Sequence, residues 1–319
     1  IVATQPSWFY VMVVVTVLLF TELKHTFTEL AQRMKNDEMI TLAKFLAISG
    51  IILPMLPNEN LIPDINLTPY TVWLATVVVS GISYLSYLLR RYVFHESGIL
   101  VSGIIGGLYS STATISVLAR KSRKAPAQEA PEYAAAMLLA VSMMFLRFLI
   151  LIGIFSKAIL AEIYPYLLIM SFVTAGVAWY LHRKRKSIPV TGEEAEEEDS
   201  SNPLEFKVAL IFAVLFVIFT IVTHYTLIYT GTGGLNVLSF IAGLSDITPF
   251  ILNLLQGSGV AVVVVTACCM QAIVSNIAVN MCYALFFAGG KSPLRRWVLR
   301  GFGGVIAVNV CLLLFFYLL

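Results

Sequence analysis

The chain has 319 residues, of which 59% are hydrophobic and 12% charged, with a formal net charge of +3. A soluble globular domain carries about a quarter charged residues, so this composition excludes an ordinary soluble enzyme and points to a multi-span membrane protein. Cys268, Cys269, Cys282 and Cys311 all fall in apolar runs without a C-x-x-C, which excludes a disulfide framework and a zinc site.

Runs that reach the roughly 20 residues needed to cross a bilayer as a helix are predicted at 7–23, 39–56, 68–89, 132–156, 163–182, 205–227, 260–288 and 296–319. The chain begins at Ile1 and is expected to be a fragment. Residues 7–23 read as a span and not as a signal peptide, because no charged segment or small-residue cleavage site accompanies them. Leu23, Phe27, Leu30, Ala31 and Met34 share one face of 22–38, which predicts an interfacial helix. Residues 187–203, with EEAEEEDSSNP, form an acidic linker too polar to bury a core. Two stretches break the pattern. The segment 97–119 overlaps GGLYSSTATISVLARKSRK (106–124), and 233–256 contains AGLSDITPFILNLLQ (242–256). Both set glycines and hydroxyls at the centre of an apolar run.

The basic residues decide how these two stretches lie, since short cytoplasmic loops collect Lys and Arg. If 97–119 crossed fully, Arg90 and Arg91 would face away from Arg120, Lys121, Arg123 and Lys124. If it enters and leaves by one face, these clusters become cytoplasmic together with Lys24, Arg33, Lys35 and the run 183–186. A second hairpin at 233–256 brings the KSPLRR segment (291–296) to the same side, while the Lys- and Arg-free loop 57–67 lies outside. Aromatic belts agree, with Trp8, Tyr70, Trp73, Tyr164, Tyr166 and Tyr225 at outer ends and Trp179, Tyr180 and Trp297 at inner ends. The expected fold is an all-α polytopic membrane protein with about eight spanning helices and two re-entrant hairpins.

A shift of 136 positions places Gly98 on Gly234, Gly107 on Gly243, Leu108 on Leu244, Ser110 on Asp246 and Thr112 on Thr248. Each half then reads span, hairpin, span, span, and the halves start on opposite sides. This predicts an inverted repeat with a substrate site at the midplane. The expected organisation is two N-terminal spans with an interfacial helix (1–67), a first repeat (68–182), an acidic cytoplasmic linker (183–204) and an inverted second repeat (205–319).

Hairpin tips inside a membrane leave backbone groups that protein or a water-filled cavity must satisfy. Ser110, Ser111, Thr112 and Thr114 supply oxygens for that purpose, or for replacing an ion's hydration shell. The plainer alternative is tight helix packing by small residues. Arg147 and Asp246 are the two ionisable residues near mid-bilayer. They form either a mutual salt bridge, or a site in which Asp246 binds a cation or proton with Arg147 as partner or competitor. Thr248 lies beside Asp246, and Pro249 helps break that helix. Asn276 and Asn280 are one turn apart on one face, suited to ion binding or to inter-helix hydrogen bonds. Asp246 is the ligand if a metal cation binds, and His224 reads as an interfacial belt residue.

The segments GISYLSYLLRRYVFHESGILVSGIIGGLYSSTATISVLARKSR, GLSDIT and SNIAVN resemble the membrane domain of unknown function that follows the MgtC/SapB domain in bacterial MgtC/SapB family proteins. The resemblance covers most of residues 20–319, and its most specific motif is G-G-L-x-S-S-T-A-T. The family's second motif usually carries another acid two residues beyond the first, and a lysine after the Ser-Asn pair. Here Thr248 and Asn280 stand at those positions, which argues against a two-carboxylate site. The resemblance implies a bacterial inner-membrane protein tied to ion handling, with the MgtC/SapB domain expected outside this chain.

The expected function is transport or channelling of a small inorganic ion, a cation by preference, between the two hairpin tips. The alternative is a non-transporting regulator or assembly protein of ion homeostasis. No cofactor, no nucleic acid and no enzymatic activity are expected. The lone acid at depth argues against an intramembrane aspartyl protease, which needs two carboxylates. A homodimer in the lipid bilayer is compatible with the sequence.

The charge pattern yields a topological test. Arg90→Cys, Lys121→Cys and Arg185→Cys, each in a cysteine-free background, should react with an impermeant thiol reagent from the cytoplasmic side only. Opposite accessibility at 90 and 121 would overturn the first hairpin.

Overall fold

A computed structural model describes residues 48–60, 67–89, 98–184, 206–256, 259–290 and 292–318, with single positions between 14 and 46 and at Ile62 and Ile65. The interfacial helix 22–38, the linker 187–203 and all but Val14 and Thr21 of the expected span 7–23 lie outside the described residues, as do positions 39, 41, 44 and 47 of the expected span 39–56. Ile1–Met55 and Leu56–Leu319 are two separate units. The first contains a π-helical turn, Ile48–Ile52, continued by Leu53–Met55.

The second unit is all-helical among the described residues. Its helices are α1 (Pro69–Leu88), α2 (Ile99–Lys121), α3 (Ala130–Phe155), α4 (Lys157–Arg183), α5 (Phe206–Ala242), α6 (Ile247–Leu255), α7 (Val262–Ala288) and α8 (Leu294–Leu318). Seven of them, all but α6, are long and apolar enough to cross a membrane. The protein is therefore a multi-pass helical membrane protein, with a lipid bilayer as its solvent. Local signals set the ends. Thr68 and Thr71 exchange side-chain and backbone hydrogen bonds in a capping box, with Pro69 as the first residue of α1. Ser156 accepts from the Ile159 N–H and starts α4, which is six residues longer at its N-terminus than the expected 163–182. Pro165 sits inside α4 without ending it.

Two helices are not straight rods. In α2, Ser110 is extended (φ −156°, ψ 109°), and a Cβ on Gly106 would lie 2.5 Å from the Thr114 hydroxyl oxygen. A continuous helix holds residues eight apart at about 12 Å, so the chain doubles back at Ser110. In α5, Gly231 adopts a positive φ of 63°, and Gly234 comes against Thr226. The 37-residue α5 is thus a long limb, 206–230, and a short limb, 232–242, that returns beside it. The chain turns again at Gly243–Asp246. Phe250 packs on Phe219 and Asn253 donates to Thr223, so α6 runs parallel to the long limb of α5 and antiparallel to the short one.

Glycine lets backbones touch where these elements cross. Gly103 and Gly107 lie against the backbone of Ala136 and Ala140, one turn apart on both helices, so the first limb of α2 runs parallel to α3. Helices α3 and α7 form the centre, with half and two-thirds of their best apolar windows buried (50% and 67%), against 28% for α8. The remaining helices turn apolar faces to lipid, as Phe172, Val214 and Leu314 do.

The basic ends converge. The end of α7 meets Arg123, and Gly301 near the start of α8 touches Leu138 of α3 and Leu181 of α4. Arg120, Lys121, Arg183, Arg295 and Arg296 therefore share one end of the bundle. Arg183 lies 5.3 Å from the Trp179 ring and Lys184 5.2 Å from the Tyr180 ring, pairing aromatic and basic residues as at a headgroup interface.

The close crossing is testable. Gly107→Ala should lower stability in detergent by about 1–3 kcal/mol, because a methyl group there meets backbone that cannot rotate away. Gly176→Ala, which has nothing within 4 Å, should leave the thermal midpoint unchanged or raise it. Equal effects would show that the α2–α3 crossing is looser than described.

Candidate functional site

The turn at Ser110 and the turn at Gly243–Asp246 face one cavity of about 410 Å³, walled by α1, α2, α3, α5, α6 and α7. Each turn begins a half-helix, and each half-helix is capped from within the turn. The Ser110 hydroxyl oxygen accepts from the Ala113 N–H at 3.3 Å, and the Asp246 carboxylate accepts from the Thr248 N–H at 3.0 Å. Ser110 and Asp246, matched by the 136-residue shift, thus do the same structural work. Capping satisfies one of the orphan donors at each helix start, and the carboxylate also meets the positive end of the α6 dipole.

Arg147 ties the two turns together. Its Nη1 donates to the Tyr109 carbonyl and its Nη2 to the Thr248 hydroxyl, both at 2.7 Å. It forms no ion pair with Asp246 within 4 Å, although Asp246 lies within electrostatic reach. The mutual salt bridge, one of the two readings of this pair, is therefore replaced by a cation held on a carbonyl and a hydroxyl. The Arg147 Nε is buried and has no hydrogen-bond partner.

A second bridge crosses on α7. The Thr112 hydroxyl donates to Asn280 Oδ1 at 2.8 Å, and Asn280 Nδ2 donates to Asn276 Oδ1 at 3.1 Å. Asn276 Nδ2 then donates to the carbonyls of Gly243 and Ser245 at 3.3 and 3.4 Å. A single polarised chain of amides runs from one turn to the other. Asn280 is fully buried, and Asn276 nearly so.

Of the residues that sequence reasoning named, Ser110, Ser111, Thr112, Arg147, Asp246, Thr248 and Asn276 line the cavity. Two do not. Thr114 packs against Gly106, and Asn280 stands behind Thr112 and Asn276. Sequence reasoning missed Ser80, Ser83, Tyr109, Ser245 and Tyr283, which also line it. The spacing of Ser80 and Ser83, one face of an apolar helix, was the available signal. Asp246 is exposed into the cavity and is the only acid lining it among the described residues. No three of His, Cys, Asp or Glu gather among the described residues in a way that could hold a metal ion.

The amide chain predicts coupled energetics. Thr112→Val and Asn280→Ala should each cost about 1–3 kcal/mol by stranding a buried partner. Together they should cost less than the sum, because the second change removes the stranded acceptor. Strict additivity in detergent unfolding would mean that the bond does not form in the protein.

A family described as a domain of unknown function (DUF4010) matches residues 77–288. That range contains every residue that lines the cavity, from Val79 to Tyr283. An uncharacterized protein of Aquifex aeolicus (strain VF5) is 26% identical over 201 residues, covering 60% of this chain and 84% of its own length. No solved structure matches the chain.

Proposed function

We propose, from the premise that the chain belongs to the DUF4010 family, that it is a transporter of a small charged solute, with its site in the cavity between the two turns. The observation that carries this reading is that two broken helices meet at one cavity and are tied across it by Arg147. Unwound backbone at membrane depth is tolerated where it is buried in protein or lines a water-filled cavity. Transporters use such discontinuous helices at the interface of inverted repeats.

The two doublings are read as re-entrant hairpins. The α2 limbs start and finish toward the basic end of the bundle, since Gly103 packs near the start of α3 and Arg120 lies over Phe287 near the end of α7. The second doubling starts at Gly231, beyond Tyr225 and Tyr229, whose stacked rings mark the opposite interface. One hairpin then opens to each side, and the halves 68–182 and 205–319 form an inverted pair. Ser110 and Asp246 as equivalent caps support that pairing, as do Thr112 and Thr248 as equivalent contacts to the bridging helices. The inner membrane of a bacterium is the proposed location, with the basic end cytoplasmic. The resemblance to the domain that follows MgtC/SapB domains supports a role in ion handling. A catalytic role is not part of the reading, because one carboxylate with no nucleophile–base pair offers no general acid–base couple.

The sequence alone favours a cation because Asp246 is its one acid at depth. The assembled cavity changes the balance, since Arg147 lines it as well.

Proteoliposomes test the reading. Flux of one class among Na⁺, K⁺, H⁺, Mg²⁺, halides and oxyanions should saturate with concentration. Thr112→Val should reduce that flux, normalised to folded protein, by about tenfold or more, equivalent to about 1.4 kcal/mol of barrier. No protein-dependent flux of any of them would favour a non-transporting regulator.

A further inference from the structure

We propose that the solute is an oxyanion, either inorganic or a carboxylate, received by Arg147 between the N-termini of the two half-helices. This rests on the transport reading and narrows its substrate class. The charge on the cavity is the first argument. Arg147 and Asp246 offset each other. At each turn the positive end of a new half-helix meets the negative end of the limb before it, so the helix dipoles largely cancel there. No other acid lines the cavity among the described residues, so a cation finds one carboxylate that already accepts an amide, whereas an anion finds a guanidinium.

Donor supply points the same way. A guanidinium has five N–H groups in a planar fork matched to oxyanions. Tyr109 and Thr248 take one N–H each of Nη1 and Nη2, which leaves a second N–H on both nitrogens, while Nε is buried away from the cavity. Ser110 uses its oxygen as an acceptor for the Ala113 N–H, which leaves its O–H to donate into the cavity. The one carboxylate already accepts the Thr248 N–H, so its charge is partly compensated before any ligand arrives. A volume of about 410 Å³ also exceeds what a bare metal ion fills and falls in the range of small-molecule sites. Asp246 then has a definite part. It offsets Arg147 while the cavity is empty and weakens the bound state enough for release.

Titrating the purified, detergent-solubilised protein by calorimetry tests this. The probes are sulfate, phosphate, succinate, chloride, K⁺ and Mg²⁺ at constant ionic strength. Saturable binding is expected for sulfate or phosphate if the oxyanion is inorganic, and for succinate if it is a carboxylate. Asp246→Asn should bind that anion several-fold tighter, because it removes the opposing charge. Arg147→Lys should bind it at least tenfold more weakly, because the charge remains and the planar fork is lost. The Asp246 arm does not depend on folding of the Arg147 variant. Saturable cation binding that disappears in Asp246→Asn would overturn the proposal. So would no saturable binding of any of the three oxyanions, or oxyanion affinity that neither variant changes. Oxyanion binding without flux in proteoliposomes sinks the transport reading and leaves the ligand class standing. Cation flux with no oxyanion binding does the reverse.

Discussion

A guanidinium within an apolar helix at bilayer depth costs at least a few kcal/mol unless the protein supplies partners. Arg147 is such a group, and its two partners come from two different turns of the chain. That requirement organises the molecule. The Tyr109 carbonyl can turn toward Arg147 because the helix breaks at the next residue, Ser110. The Thr248 hydroxyl reaches it because α6 starts afresh at Asp246 instead of continuing α5. Two breaks, each unfavourable by itself, supply the polar surface that one buried cation needs.

Breaking helices inside a membrane exposes amides and carbonyls, and the protein answers at each break with groups already in the turn. Ser110 and Asp246 cap the new helices, and Asn276 donates to the carbonyls that the second turn leaves behind. The glycines then allow the doubled limbs to sit close. Gly107 meets Ala140 on α3, and Gly243 meets Ala272 and Ser275 on α7. Matched positions in the two halves thus face the two central helices in the same manner.

Much of this was legible in the sequence, and the illegible part has a physical cause. Span positions follow from hydrophobic length alone: four of the predicted spans coincide with helices within a few residues, 205–227 coincides with the long limb of α5, and 163–182 falls inside the longer α4. The glycine- and hydroxyl-rich centres marked both turns, and the two residues that the 136-residue shift pairs, Ser110 and Asp246, each cap a half-helix. Partner identity was not legible. Arg147 and Asp246 read either as a salt bridge or as a ligand site, but charge does not reveal that the carboxylate would be engaged by the Thr248 amide. Hydroxyls were equally ambiguous. In α1, Thr76 and Ser86 bond back to their own helix at Val72 and Ile82, while Ser80 and Ser83 line the cavity. Among the tip residues, Thr114 turned out to pack on Gly106, as the small-residue packing alternative had it.

The two bridges differ in strength, and the difference bears on how such a cavity opens. Charge-assisted bonds at 2.7 Å hold both turns to Arg147, and bonds to a charged group are roughly twice as strong as neutral ones. On the other side, Thr112 is held to Asn280 at 2.8 Å, but Asn276 reaches Gly243 and Ser245 only at 3.3 and 3.4 Å. Neutral bonds of that length lie beyond the favoured range. The weakest link in the ring around the cavity is therefore between α7 and the second turn. A solute that drew Arg147 donors toward itself would loosen the stronger bridge at the same time. Both turns would then be held less firmly to the central helices while the charge that had held them was neutralised by the solute. Under the proposed binding of an oxyanion at Arg147, ligand arrival and loosening of the two turns would be the same electrostatic event.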